Sequence, residues 1–294
     1  MVIRKAAVAG NFYPGYKSEL IHIIEDSFSD KEFGPGEEFK TLNKDKRTYI
    51  GGVSPHAGYI YSGCAAAFTY LHLFQEKIPD TVIILGTDHI GYGKIALMKE
   101  GEWETPLGRI SIDKVLSEMI LENSQVIIND ENAFLGYPFG REHNIEVQLP
   151  FVQYCAQKKE VKFIPIKVST RDFNILNTLS NDIAKVIELY NKDVIIIASS
   201  DMTHKEVYDS QQLEKFKEKD QRVIDAFVKL DPKNAFEAAS KTTVCGSQTI
   251  SSLMMICKKL NADKGKLLKY YTSSEKVGKI GGYCVGYFSG VIIK

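Results

Sequence analysis

Three segments of the chain end alike, an apolar run giving way to small polar residues and then histidine: VSPHAGY, ILGTDH and IIASSDMTH. Only six histidines occur in the sequence, so His56, His89 and His204 falling directly behind such runs is a concentration. Neutral imidazole is a good ligand for iron, copper or zinc, and its second nitrogen can be fixed by a carboxylate. Asp88 and Asp201 stand beside these histidines as candidates for that outer role. Taken singly, each histidine could equally cap a strand end or satisfy loop carbonyls; the trio together favours a ligand-binding rim. A fourth residue is Cys245, in KTTVCGSQT, directly ahead of an expected helix with Ser247 as its N-cap. Free amides at a helix start favour a thiolate, and a thiolate beside two imidazoles completes a three-ligand metal site, although a cysteine in that place can also be purely structural.

A second concentration of ionisable groups lies in the run YPFGREHNIEVQLP, which gathers Arg141, Glu142, His143 and Glu146 at an expected loop-to-helix boundary. Such a group suits substrate orientation or proton transfer, and equally a buried salt-bridge network that fixes the loop. Other motifs are lacking. The glycine-rich tail VGKIGGYCVGYFSG has neither the context nor the spacing of a dinucleotide fingerprint, the three Gly-Lys pairs follow no phosphate-loop pattern, and no GxSxG elbow makes Ser199 or Ser200 a hydrolase nucleophile. Cys64, Cys155, Cys257 and Cys284 fall in apolar patterns, where burial as small hydrophobes accounts for them. His22 and His72 lie within helical patterns and lack polar companions.

These residues need a scaffold, and the patterning supplies one. The segments TYIGGVSP, DTVIILGTDH, VKFIPIKVS and DVIIIASSD read as core strands, and the unbroken apolar run of the second is that of a strand covered on both faces. Helices are expected over 18–28, 62–74, 113–121, 145–156, 173–190, 211–229, 233–240 and 248–260. A hairpin-like excursion is expected over 94–110, a polar loop near 29–48, and two closing strands in KLLKYYTSS and GGYCVGYFSGVII. Strands alternating with helices imply parallel pairing, so the expected fold is α/β, a three-layer α/β/α sandwich around a mostly parallel sheet with an antiparallel edge. In such sheets ligands bind outside the carboxyl ends of the strands, which brings His56, His89, Asp201 and His204 to one rim.

The 294 residues are expected to form one domain, 1–294. Lys plus Arg and Asp plus Glu both number 37, leaving no positive field for a phosphate backbone, so nucleic acid is not an expected partner. No stretch reaches the roughly 18 apolar residues of a membrane span, and the opening MVIRKAAVAGNFYPG does not resemble a secretory leader, so a cytoplasmic protein with no membrane partner is expected. Five cysteines without a CxxC pair read as reduced thiols.

The segments AGNFYPG, SPHAGYIYSG, LGTDH, EHNIEVQLPF, SSDMTH and CGSQT together resemble those of the MEMO family, whose members share the fold of the LigB-type class III extradiol dioxygenases, and in order they span nearly the whole chain. The resemblance implies that His56, His89 and Cys245 converge as metal ligands, with His204 in the place of the dioxygenases' acid/base histidine and Asp201 beside it. Ring-cleaving relatives use a carboxylate as third ligand where this chain has Cys245. A thiolate is softer and itself oxidisable, which favours copper or an altered iron site over catechol cleavage. Family members in animals are described as signalling effectors that bind phosphotyrosine peptides in a similar cleft.

Three functions follow as expectations. The first is a metal-dependent oxidoreductase holding Fe(II) or a copper ion on His56, His89 and Cys245, with His204 moving a proton and Asp201, His143 and Glu142 as further catalytic candidates. The second is a non-catalytic binding or adaptor protein taking a small molecule or peptide in a vestigial dioxygenase-like cleft, with Phe12, Tyr13, Tyr59 and Tyr61 as exposed rim aromatics. The third is a zinc hydrolase in which Glu142 or His204 is the base.

Overall fold

A computed structural model describes residues 2–136 and 141–294. The chain opens with a short strand β1 (Ile3–Arg4) and helix α1 (Lys17–Ser29), then β2 (Tyr49–Ser54), α2 (Tyr59–Gln75) and β3 (Thr81–Thr87). Next come β4 (Ala96–Leu97), β5 (Glu102–Thr105), β6 (Gly108–Ser111), α3 (Lys114–Asn123), β7 (Ile128–Asn129) and α4 (Asn132–Leu135). A single 3-10 turn leads into α5 (Leu149–Ala156), followed by β8 (Lys162–Val168), α6 (Phe173–Leu189), β9 (Val194–Ser199) and β10 (His204–Val207). The remainder is α7 (Ser210–Val228), α8 (Pro232–Ser240), α9 (Ser247–Lys259), β11 (Lys264–Thr272), α10 (Ser273–Val277) and β12 (Gly282–Ile293).

The main sheet runs β10-β12-β2-β9-β3-β8-β4-β7, with β11 paired to β12. Its centre, β2-β9-β3-β8, is parallel throughout. Antiparallel pairings flank that centre on both sides, β12 on β2 and β4 on β8, where one edge was expected. Residues 94–110 also differ from the expected single hairpin. Ala96–Leu97 joins the edge of the main sheet, while β5 and β6 form a hairpin in a separate small sheet completed by β1.

Helices cover both faces because successive residues of the central strands are apolar and point to opposite sides. Ile83, Leu85, Ile196 and Ala198 face one core built with α3, α6, α7, α8 and α9. Val82, Ile84, Ile195 and Ile197 face the other, built with α1, α2 and α5. The result is three layers with strand ends free to carry loops. No helix among the described residues is long and apolar enough to cross a membrane.

Asp113 ties three of these elements together. It caps α3 by accepting from the Leu116 amide, and it accepts from the Thr81 hydroxyl at 2.5 Å and the Tyr190 hydroxyl at 2.7 Å. Burial acts to raise its pKa, but the bonds from Thr81, Tyr190 and Leu116 outweigh it and hold the carboxyl below its ordinary value. A depressed folded-state pKa means that the stabilisation is complete above the unfolded value of about 3.9 and is lost as pH falls through the lower folded value. Asp113→Ala is expected to cost about 2–4 kcal/mol at pH 7 in urea denaturation, and the gap to wild type should narrow on acidification below about pH 4.

Candidate metal centre

The parallel strands end at one rim, and their loops deliver the sequence-predicted residues there. His56 follows β2, His89 follows β3, Asp201 follows β9, and Cys245 sits in the turn before α9. A ring nitrogen of His56, a ring nitrogen of His89 and the Cys245 sulfur all lie within 4.8 Å of one another. The His56 and His89 ring centroids are 5.4 Å apart and nearly perpendicular. His56 is buried, Cys245 half-buried and His89 exposed, so the cluster opens to solvent on the His89 side.

The network around His56 fixes which nitrogen is bare. The Ser199 hydroxyl has one proton, donated to the Asn144 carbonyl oxygen at 2.8 Å. Gln148 Nε2 donates to Ser199 Oγ at 2.9 Å, so the remaining contact, His56 Nδ1 at 2.9 Å, is a donation from the ring. His56 Nε2 therefore carries the lone pair, and it points at Cys245 Sγ, 3.4 Å away. Metal–nitrogen and metal–sulfur bonds of about 2.0 and 2.3 Å at a tetrahedral angle place those atoms about 3.5 Å apart. The spacing is that of two ligands sharing one ion.

Protonation favours the imidazoles as ligands. Burial, reinforced by the neighbouring His89, His143 and His204, pushes the His56 pKa well below its ordinary value. Burial followed by His143 and His204 lowers His89 to about 4. Cys245 behaves otherwise than expected from its place ahead of a helix. Its thiol is pushed up to about 12 by burial and then by the Asp201 carboxylate, which together outweigh the Asp201 amide that donates to its sulfur at 3.3 Å. Gly246, not Ser247, occupies the N-cap of α9, and no side chain caps that end. A bound cation supplies the positive charge that converts such a thiol to thiolate.

The Cys245 turn is pinned from several strands. Thr87 donates to the Cys245 carbonyl oxygen at 2.9 Å, the Gly246 amide donates to Ser200 Oγ at 3.0 Å, and Gln248 Nε2 donates to Thr87 Oγ1 and to Val168 O. Glycine is required at 246 because a Cβ there would collide with Ser200 and Thr249. Gly86 plays the same part on β3, where a Cβ would strike Asn144 and Ile145.

The other candidates take distinct places. Asp201 is buried and accepts from the His56 backbone amide at 2.8 Å, so it clamps the loop and leaves the ring nitrogen to Ser199. Its carboxyl is pushed up to about 6 by burial, opposed by His204 and the backbone amides of His56 and Ala57. His204 Nδ1 faces the Thr243 carbonyl at 3.1 Å and donates to it, turning Nε2 toward Asp201 Oδ2 at 3.9 Å. His143 packs its ring 5.1 Å from His89, 6.0 Å from His56 and 5.3 Å from Phe12. Asp88 accepts from the Ile90 and Gly93 amides and so closes the loop that carries His89.

Glu142 is buried, and its carboxylate accepts from the amides of Ile145 and Glu146 at 2.7 and 3.3 Å, which fixes the turn. Glu146 is the anchor of that turn. It binds Arg4 Nη1 at 2.6 Å, the Tyr13 hydroxyl at 2.7 Å and the amides of Ala7 and Val8. Tyr137, Pro138, Phe139 and Gly140, the start of this run, lie outside the described residues. Sequence reasoning did not assign Ser199 and Gln148 to the site; a glutamine fully buried in the apolar stretch VQLPF was the available signal.

A cavity of about 410 Å³ is walled by Ala57, the residue that follows His56 in the chain, with Tyr61, Val285, Tyr283, Tyr287 and α10. Tyr61 is 40% exposed, whereas Tyr13 and Tyr59, expected at the rim, are each 3% exposed and belong to the core. They are drawn inward by hydrogen bonds to Glu146 and to the Val147 carbonyl.

The family model described as "Memo-like protein" matches residues 4–291. The chain belongs to the MEMO1 family. It is similar to a MEMO1 family protein of Sulfurisphaera tokodaii, 40% identical over 98% of both chains, and to one of Pyrobaculum arsenaticum, 39% identical over 95% of both. A further MEMO1 family protein, from Nitrosopumilus maritimus, is 35% identical over 97% of this chain and 98% of its own. An uncharacterized protein of Escherichia coli K12 overlays with a TM-score of 0.49 at 9% identity, over 84% of this chain and 100% of that one, and no fold assignment is drawn from it. The His56, His89 and Cys245 cluster gives this family member a site capable of coordinating a metal ion.

Two substitutions probe the support of that site. Ser199→Ala removes the partner that holds the His56 tautomer and is expected to weaken metal affinity about 10–100-fold, measured by chelator competition; unchanged affinity would refute the assignment. Glu146→Ala leaves the Arg4 guanidinium buried without its counter-charge and should cost about 3–5 kcal/mol in chemical denaturation.

Proposed function

We propose that this protein is a metal-dependent oxidoreductase whose redox metal, iron or copper, is held by His56, His89 and Cys245 and whose substrate occupies the adjoining tyrosine-walled cavity. The observation that carries the reading is the bare His56 Nε2 lying 3.4 Å from Cys245 Sγ, with His89 completing the triad. Two neutral imidazoles and one thiolate suit a borderline or soft redox metal, and they leave coordination positions open toward the exposed side. Such a metal, when bound, supplies one-electron chemistry and activation of dioxygen.

The chain's own residues hold protons and geometry around it. His204, with Nδ1 donating to the Thr243 carbonyl and Nε2 turned toward Asp201, is set to exchange a proton at Nε2. His143 packs over the open side between His89 and Phe12 and is placed to orient substrate. Glu142 is given a positioning role, since its carboxylate is committed to the Ile145 and Glu146 amides; that commitment leaves His204 as the base if the ion is zinc and the reaction hydrolysis. The likeness to LigB-type dioxygenases in fold and cleft is part of the same proposal.

A second reading is a non-catalytic binding protein, and the cavity favours it through its walls. Tyr61, Tyr283 and Tyr287 offer aromatic surface with polar tips, and Lys279 adds a cation, a lining that suits a small acidic molecule or peptide.

The discriminating measurement is anaerobic titration of metal-free protein with Fe(II), Cu(I) and Zn(II), wild type against Cys245→Ala. One-to-one binding of iron or copper that the substitution weakens at least about tenfold is the expected result. Binding of zinc alone would transfer the proposal to the hydrolase reading, and failure of all three ions to bind would transfer it to the binding reading.

A further inference from the structure

Cys64 does not sit in the purely apolar setting that the sequence suggests. Its sulfur lies 3.3 Å from Lys276 Nζ and 3.4 Å from Asp30 Oδ2, and Lys276 Nζ binds the same carboxylate oxygen at 2.8 Å. The three groups come from separate elements: Cys64 from α2, Asp30 from the end of α1, and Lys276 from α10. Asp30 is held in place by the amides of Glu32 and Phe33, each 2.9 Å from Oδ1. The Phe33 ring covers the lysine, with Nζ 4.6 Å from its centroid. Cys64 is 6% exposed, so bulky oxidants and the thiols of other proteins are kept from it while small molecules are not.

We propose that Cys64 and Lys276 form a site of oxidative cross-linking, closed by dioxygen as an N–O–S bridge between α2 and α10. A thiol and an amine in direct contact, with a carboxylate touching both, have the reacting atoms held together. The ammonium of Lys276, whose side chain is 18% exposed, loses its extra proton to solvent. One S–H bond, one N–H bond and the O–O bond then break, an S–O and an O–N bond form, and the second oxygen leaves as water with the two hydrogens. Sulfur and nitrogen each lose two electrons, and dioxygen gains four.

The bridge would act on the cavity that Ala57 and Tyr61 line. Ser273, Ser274 and Val277 of α10 form part of its wall, so fastening α10 to α2 fixes the shape of that wall in oxidising conditions and releases it on reduction. The inference needs no metal at the rim and stands apart from the function proposed above.

The test is intact-mass analysis of full-length protein prepared anaerobically with reductant, then exposed to air-saturated buffer. The expected product has gained one oxygen and lost two hydrogens, yields a linked peptide containing Cys64 and Lys276, shows a raised Tm, and reverts with dithiothreitol. It should be absent from Cys64→Ser and from Lys276→Arg, the latter keeping the charge pair with Asp30. An unchanged mass in folded wild-type protein overturns the proposal. So does the same product in Lys276→Arg, or oxygen found on Cys64 with Lys276 free.

Discussion

The Glu146 carboxylate is the contact on which the rim depends. It is fully buried, and Arg4, Tyr13 and the amides of Ala7 and Val8 converge on it from the first stretch of chain. Removing a carboxylate from water is costly, and only this many donors make the burial tolerable. The same glutamate belongs to the turn that carries His143, Asn144 and Gln148. Asn144 and Gln148 then fix the Ser199 hydroxyl, and Ser199 fixes the His56 ring. The orientation of one imidazole is thus inherited from an ion pair made by the first and middle parts of the sequence.

That chain of support explains the unusual balance at the site. Three histidines near His56 would repel one another if charged, and burial disfavours charge on the inner ones further, so His56 and His89 are held neutral with lone pairs available. The thiol of Cys245 is held protonated by burial and the adjacent Asp201. The cluster is therefore uncharged where it is deepest, an arrangement that lacks only a cation to become complementary throughout.

The fold was legible because its signals are local. Central strands carry continuous β-branched runs, and helices α3, α6, α7 and α8 begin near aspartates that cap them. Three strand-end histidines and Cys245 were equally legible, since the topology of parallel strands brings such ends together. What escaped the sequence is set by partners distant along the chain. Ser199 reads as an inert serine until Gln148 and Asn144 are placed on it, Tyr13 and Tyr59 read as exposed until Glu146 and Val147 claim their hydroxyls, and Cys64 reads as a small hydrophobe until Lys276 arrives from beyond two hundred residues away. Within the excursion over 94–110 the β5–β6 hairpin is legible, whereas β4 is not, because a two-residue strand has no periodicity to detect.

The position of β12 has a bearing on how the sheet is closed. That strand lies inside the sheet, between β10 and the strand that leads to His56. Until β12 is in place, β2 therefore keeps an open flank, a surface prone to pairing with neighbouring nascent chains. Sealing of that flank waits on β12, so a product clipped ahead of Gly282 is marked by a bare β2 edge next to the loop that carries His56.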